Sequence, residues 1–149
     1  SASEFQSALD AVPYDADYAF RAARAVLADP RPADPQLAVR MLDRAIALDP
    51  SRPQYWLHRA NARLRAGAPD LAAVRADYAE ALRLDPNNVD VRLEYADVLR
   101  RSGEAAAAAK QYAEALRYND LLSPDEPKRL TPQRVGEVQR LARETGREK

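Results

Sequence analysis

One imidazole, a stripe of carboxylates and an abundance of arginine are the groups with which this 149-residue chain could do chemistry. His58, the single histidine, stands in Tyr55-Trp56-Leu57-His58-Arg59. As a general base it would need an orienting carboxylate and a nucleophile, and its local sequence supplies neither, so it reads as a groove-lining or surface residue. Asp90, Glu94 and Asp97 fall at i, i+4 and i+7 and share one helical face, which could hold a hard cation. No loop of calcium-binding spacing accompanies them, and they read as a solvated or peptide-facing stripe. The chain has no Cys, which excludes disulfides, thiolate zinc sites, iron–sulfur clusters and a cysteine nucleophile. Four glycines are too few and too scattered for a phosphate cradle. No catalytic, cofactor-binding or metal-ligating residue is assigned, and the chain reads as a non-enzyme without cofactor.

Charge points the same way. The 23 Lys and Arg balance the 23 Asp and Glu, so the formal net charge is zero and no global field draws the chain to nucleic acid. The arginines alternate with acids at helical spacings, as in Arg40, Asp43 and Arg44, which predicts ion-paired outer faces rather than a phosphate track. No apolar run approaches a membrane span, so no direct membrane insertion is expected, and nothing indicates a compartment.

The elements that must position these groups are helices. Alanine makes up about a fifth of the residues, and the 11 prolines fall in clusters between stretches of helical period. An internal repeat orders them. Tyr78-Ala79-Glu80-Ala81-Leu82-Arg83-Leu84-Asp85-Pro86 is echoed by Leu42 to Pro50 and by Tyr112 to Asp120, at separations of 36 and 34 residues. A fainter copy carries Phe5, Ala8, Leu9 and Pro13. The implied organisation is a single domain: a half-repeat over 4–15, then repeats over 16–52, 53–88 and 89–122. Within each repeat apolar residues recur at three and four, and a turn signal such as Gly67-Ala68-Pro69-Asp70 or Ser102-Gly103 divides two helices. Small Ala60, Ala96, Ala81 and Ala115 let helices approach, while Trp56, Tyr78, Tyr95 and Tyr112 fill the adjoining space.

This pattern resembles the tetratricopeptide repeat (TPR) family. Trp56, Ala60, Tyr78, Ala81 and Pro86 stand at pattern positions in the second repeat, and Tyr95, Ala96, Leu99, Gly103, Ala108, Tyr112 and Ala115 in the third. In the first, Ala19, Ala22, Ala23 and Val26 fit a unit starting at Ala16, and a one-residue shift that places Tyr18 at the aromatic position fits nearly as well. Arg59 and Arg63 replace apolar residues, Arg92 replaces an aromatic and Asp120 replaces the closing proline. The resemblance implies an all-α, right-handed superhelical stack of antiparallel helical hairpins, a TPR-like α-solenoid. It also implies a protein–protein interaction scaffold that binds a peptide or partner segment in a concave groove built by the first helix of each hairpin.

The groove positions are Arg21 and Arg24 in the first repeat, Gln54, His58, Asn61 and Arg65 in the second, and Asp90, Glu94, Asp97 and Arg101 in the third. They run from basic through neutral to acidic. Asp77 and Glu80, on a second helix, are expected to be exposed and outside the groove. Some members of the family clamp the terminal carboxylate of chaperones with cations on the first and third hairpins. Those positions here hold Phe20 and Arg24, His58, and Asp90 and Glu94, so the third hairpin would repel a carboxylate.

After Leu122 the period stops. Residues 123–130 read as a linker, and Thr131 as an N-cap with Pro132 at the first helical position. Val135, Val138, Leu141 and Ala142 then give one apolar stripe over 131–145, a capping helix for the end of the stack. The chain lacks an initiator Met, which suggests a piece of a longer protein. The stretch from Asn119 to Leu130 is loosely similar to tails of bacterial O-antigen ligase or polymerase proteins that carry TPR domains, so a docking or regulatory tail of a larger enzyme or membrane protein is the alternative expectation.

Overall fold

A computed structural model of the chain describes residues 3, 7, 10, 14–29, 34–67 and 69–147. Among these residues there are seven helices and no strand: α1 (Ala16–Ala28), α2 (Pro35–Leu48), α3 (Pro53–Arg65), α4 (Leu71–Leu84), α5 (Val89–Arg101), α6 (Ala105–Leu121) and α7 (Pro132–Thr145). The half-repeat expected over 4–15 lies outside the described residues except at Ser7, Asp10, Tyr14 and Asp15. The chain divides into two compact units, Ser1–Leu84 and Asp85–Lys149.

Helix starts in the first unit follow from the caps. Asp15 and Asp34 accept hydrogen bonds from the Tyr18 and Leu37 amides at 2.9 and 3.0 Å, and Asp70 accepts from the Ala72 and Ala73 amides. Pro35 and Pro53 occupy first-turn positions whose missing N–H costs nothing. The α3–α4 turn passes through Gly67 at φ +71°, a left-handed conformation that glycine adopts without strain.

The small residues sit where two helices meet. Ala19 and Ala23 of α1 and Ala38 and Ala45 of α2 are fully buried beside Met41 and Leu42. Tyr55 and Ala62 of α3 close this core, with Phe20 and Trp56 packed against its edge.

The α3–α4 hairpin holds a feature that periodicity did not disclose. Asp77 is not exposed: it is 1% accessible, and its carboxylate takes hydrogen bonds from Arg59 at 2.6 Å and Arg63 at 2.5 Å. Arg59 also reaches Asp43 of α2 at 2.8 Å and stacks 4.9 Å from the Trp56 ring centroid. Burial opposes the charge on Arg59, yet the two aspartates outweigh it and raise its pKa. The two arginines that break the apolar pattern are thus one half of an ion cluster whose other half is Asp77. Glu80 is half-buried and pairs with Arg83 at 2.7 Å.

The second unit is built from α5, α6 and α7. Asn88 caps α5 by accepting from the Val91 amide, and Gly103 turns the α5–α6 hairpin at φ +79°. Val89, Leu93, Ala96 and Leu99 of α5 pack against Ala108, Tyr112 and Ala115 of α6. With Asp120 where proline closed the earlier repeats, α6 runs on for 17 residues and ends at Leu121.

Thr131 accepts from the Arg134 amide to start α7, and Val138 is fully buried in the same core, flanked by Leu141 and Ala142. The linker before it is anchored: buried Asn119 takes the Leu130 amide at 2.7 Å, and Arg129 donates to the Leu122 carbonyl at 2.5 Å. No helix among the described residues is long and apolar enough to cross a membrane.

Candidate functional site

The candidate groove residues stand on α1, α3 and α5, each the first helix of its hairpin. Their helical spacing decides which side chains share a face. Arg21 and Arg24 are exposed on α1, His58 and Asn61 are half-buried on α3, and Arg65 is exposed near its end. These five, with Ala25, Leu27 and Ala28, line an open cleft of about 520 Å³ between α1 and α3. Gln54 is exposed one turn before His58 and does not line it.

Each side chain in the cleft has a structural reason for its pose. Arg21 pairs with Asp17 at 3.1 Å across one helical turn, in full solvent, where such a pair contributes little. Arg24 lies 5.7 Å from the centroid of the Phe20 ring. Arg65 donates to the Leu27 carbonyl at 3.1 Å, which ties α3 to the last turn of α1. Asn61 accepts from the Tyr78 hydroxyl at 3.1 Å, and its amide group is held by its own hairpin.

His58 stands edge-on to Phe20, with ring centroids 4.9 Å apart. Its Nδ1 lies 2.8 Å from the Gln54 carbonyl, and because a carbonyl only accepts, Nδ1 carries the hydrogen. Burial lowers the His58 pKa; the hydrogen bond to Gln54 works against the shift and the Arg24 charge adds to it.

The remaining four residues belong to the second unit, all on α5. Asp90 and Glu94 are exposed and Asp97 is half-buried. Asp97 is committed to its own hairpin: it accepts from the Tyr112 hydroxyl and lies 3.9 Å from Arg100. Burial and this bond raise the Tyr112 pKa. Arg101 is exposed and donates to the Asp97 carbonyl at 3.3 Å. The third repeat therefore reuses the device of the second, with Asp97 and Tyr112 in the places of Asn61 and Tyr78. Among the described residues no three His, Asp or Glu side chains converge to hold a metal ion.

A family model for the tetratricopeptide repeat matches residues 33–88 and 75–125, more than half of the chain. The chain belongs to the tetratricopeptide repeat family. The match begins just before α2, and α1 packs on α2 and α3 through Ala19, Ala22, Ala23 and Val26. Two crystal structures of the TPR protein MamA share the fold at 14% sequence identity, with TM-scores of 0.67 and 0.66. The first covers 99% of this chain and 83% of MamA, the second 97% and 80%. No curated protein matches the chain in sequence. The comparisons lend no support to the likeness between residues 119–130 and O-antigen ligase tails. TPR hairpins serve in general as protein-binding scaffolds, because each repeat stacks on its neighbours and leaves one helix face free.

Proposed function

We propose that the chain is a non-catalytic interaction scaffold that takes a peptide segment of a protein partner on the first helices of its hairpins. The contacts would come from Arg21, Arg24, Gln54, His58, Asn61 and Arg65 in the first unit, and from Asp90, Glu94, Asp97 and Arg101 in the second. The observation that carries this reading is the α1–α3 cleft. It is open to solvent, wide enough for side chains, and lined by five of the six first-unit candidates. Leu27 and the stems of the arginines offer apolar contact, and the guanidinium groups offer orientation.

The test is photocrosslinking. A photoreactive residue replaces exposed Gln54 in one variant and exposed Ala79 on α4 in another, and each is incubated with extract from the source cells. Crosslinks to a partner from position 54 and not from 79 support the reading. Equal yields at both positions, or yield only at 79, remove the first helices as the binding face.

A further inference from the structure

The cleft between α1 and α3 has a cationic lining. Arg21, Arg24 and Arg65 line it, and no carboxylate does. Asp17 neutralises Arg21 from outside the lining. Among the described residues, Arg24 and Arg65 meet no carboxylate within ion-pair distance: Arg24 rests on Phe20 and Arg65 on a backbone carbonyl. Both keep guanidinium donors for a guest, whereas Arg59, Arg63, Arg83 and Arg117 are each engaged by an Asp or Glu.

His58 adds a second, independent feature. With Nδ1–H fixed on the Gln54 carbonyl, Nε2 is the atom that can take a proton. The groups around it are Arg21 and Arg24, with the Phe20 ring, from α1, and Arg65 and neutral Asn61 from α3; the lining holds no residue of α2 or α4. All its charged neighbours in the cleft are cations, and they favour the neutral ring while the cleft is open. An anion among them reverses the local field and favours the imidazolium.

We infer that, on the reading proposed above, the α1–α3 cleft is the subsite for clustered anionic side chains of the partner peptide, carboxylates or a phosphomonoester, and that His58 takes up one solvent proton as they enter. Affinity for a carboxylate peptide then rises as pH falls from the His58 pKa of the complex to the lower one of the free protein, and is level beyond both. The shared chemistry is an oxyanion held by Arg24, Arg65 and a protonated His58.

The chain has one histidine, so its imidazole gives a single NMR signal. The 149-residue protein with labelled histidine is titrated from pH 8 to pH 5.5 alone, with blocked hexaglutamate, with the same peptide bearing two phosphoserines, with hexaglutamine, and with hexathymidylate. The expected result is that the anionic peptides bind, raise the His58 pKa by about one unit, and lose about fivefold in affinity in Arg24→Gln and in Arg65→Gln. His58→Gln should bind hexaglutamate no more tightly at pH 5.5 than at pH 8, without the gain that the parent shows between those two values. The phosphopeptide arm separates the two sources: tighter binding than hexaglutamate assigns the subsite to phosphomonoesters, equal or weaker binding to carboxylates.

An unmoved His58 pKa with both anionic peptides overturns the inference, as does full affinity in both arginine variants. Tighter binding of hexathymidylate than of either peptide overturns it in favour of nucleic acid. Those failures leave the scaffold reading to the crosslinks at positions 54 and 79, which do not depend on the guest's charge.

Discussion

Trp56 and Arg92 perform the same task at matching points of successive repeats. The Trp56 indole N–H donates to the Pro50 carbonyl at 2.9 Å, and the Arg92 guanidinium donates to the Pro86 carbonyl at 3.1 Å. Arg92 adds a bond to Gln111 and lies 4.4 Å from the Tyr118 ring centroid. A planar donor on an apolar stem thus substitutes for an aromatic one at the start of the hairpin.

Arg92→Trp should accordingly keep most of the stability, while Arg92→Ala should cost about 1 to 2 kcal/mol through the orphaned carbonyl and the lost stacking. Urea unfolding of the two variants distinguishes them. Equal losses would mean that the planar donor is not what the position requires.

Asp77→Ala leaves Arg59 and Arg63 facing each other without their shared anion. A loss of about 3 kcal/mol is expected, since removing one member of a buried ion cluster strands its partners. Replacing all three together with Leu, Met and Leu should recover most of that loss by restoring an apolar seam. Thermal denaturation of the single and triple variants checks both halves.

Ala96 is fully buried between α5 and α6, and Ala96→Leu should destabilise by about 1 to 3 kcal/mol through overpacking. An unchanged midpoint in calorimetry would contradict the close helix approach.

Removing residues after Leu122 uncovers the α6 face that Val138 and Leu141 seal. Self-association or a lower midpoint is expected, read by sedimentation and by circular dichroism. A monomer of undiminished stability would reduce α7 to a dispensable tail.

His58 gives a pH dependence of known sign. Its folded pKa lies below the unfolded value of about 6.5, so the unfolded chain binds the proton more tightly. The contribution is complete above pH 6.5, is lost as pH falls from there toward the folded pKa, and is level below it. The difference in unfolding free energy between parent and His58→Gln, followed from pH 8 to pH 5, should show this slope. A flat difference would mean that His58 is not desolvated by Phe20 and its neighbours.

The helices were legible because Ala60, Ala96, Ala81 and Ala115 recur at positions where only a small side chain lets two helices meet, and that constraint is written locally. Asp77 was misread for the opposite reason. An aspartate amid Arg75, Ala76 and Ala79 looks solvated by local rules, and its partners lie 18 and 14 residues back on another helix. The arginines at 59 and 63 were visible as departures, and such paired departures are the signal that could have disclosed the cluster. Asn61 and Asp97 read as groove residues from their face alone, but the hydroxyls of Tyr78 and Tyr112 that hold them belong to the facing helix. A cleft is a property of two helices at once, and no single stripe contains it.

The buried Asn119 marks the point where the chain leaves the hairpin pattern for α7. At the corresponding points, Asp49 takes the Ser51 amide and hydroxyl, and Asp85 takes the Asn88 side chain, each feeding the chain into another hairpin. Asn119 instead reaches across to the Leu130 amide and feeds the chain into its closing helix. The aspartates turn the chain within two or three residues, whereas the asparagine reaches eleven residues ahead and holds a longer connection in place. The residue type at this one rung thus decides between a tight turn and a tethered linker.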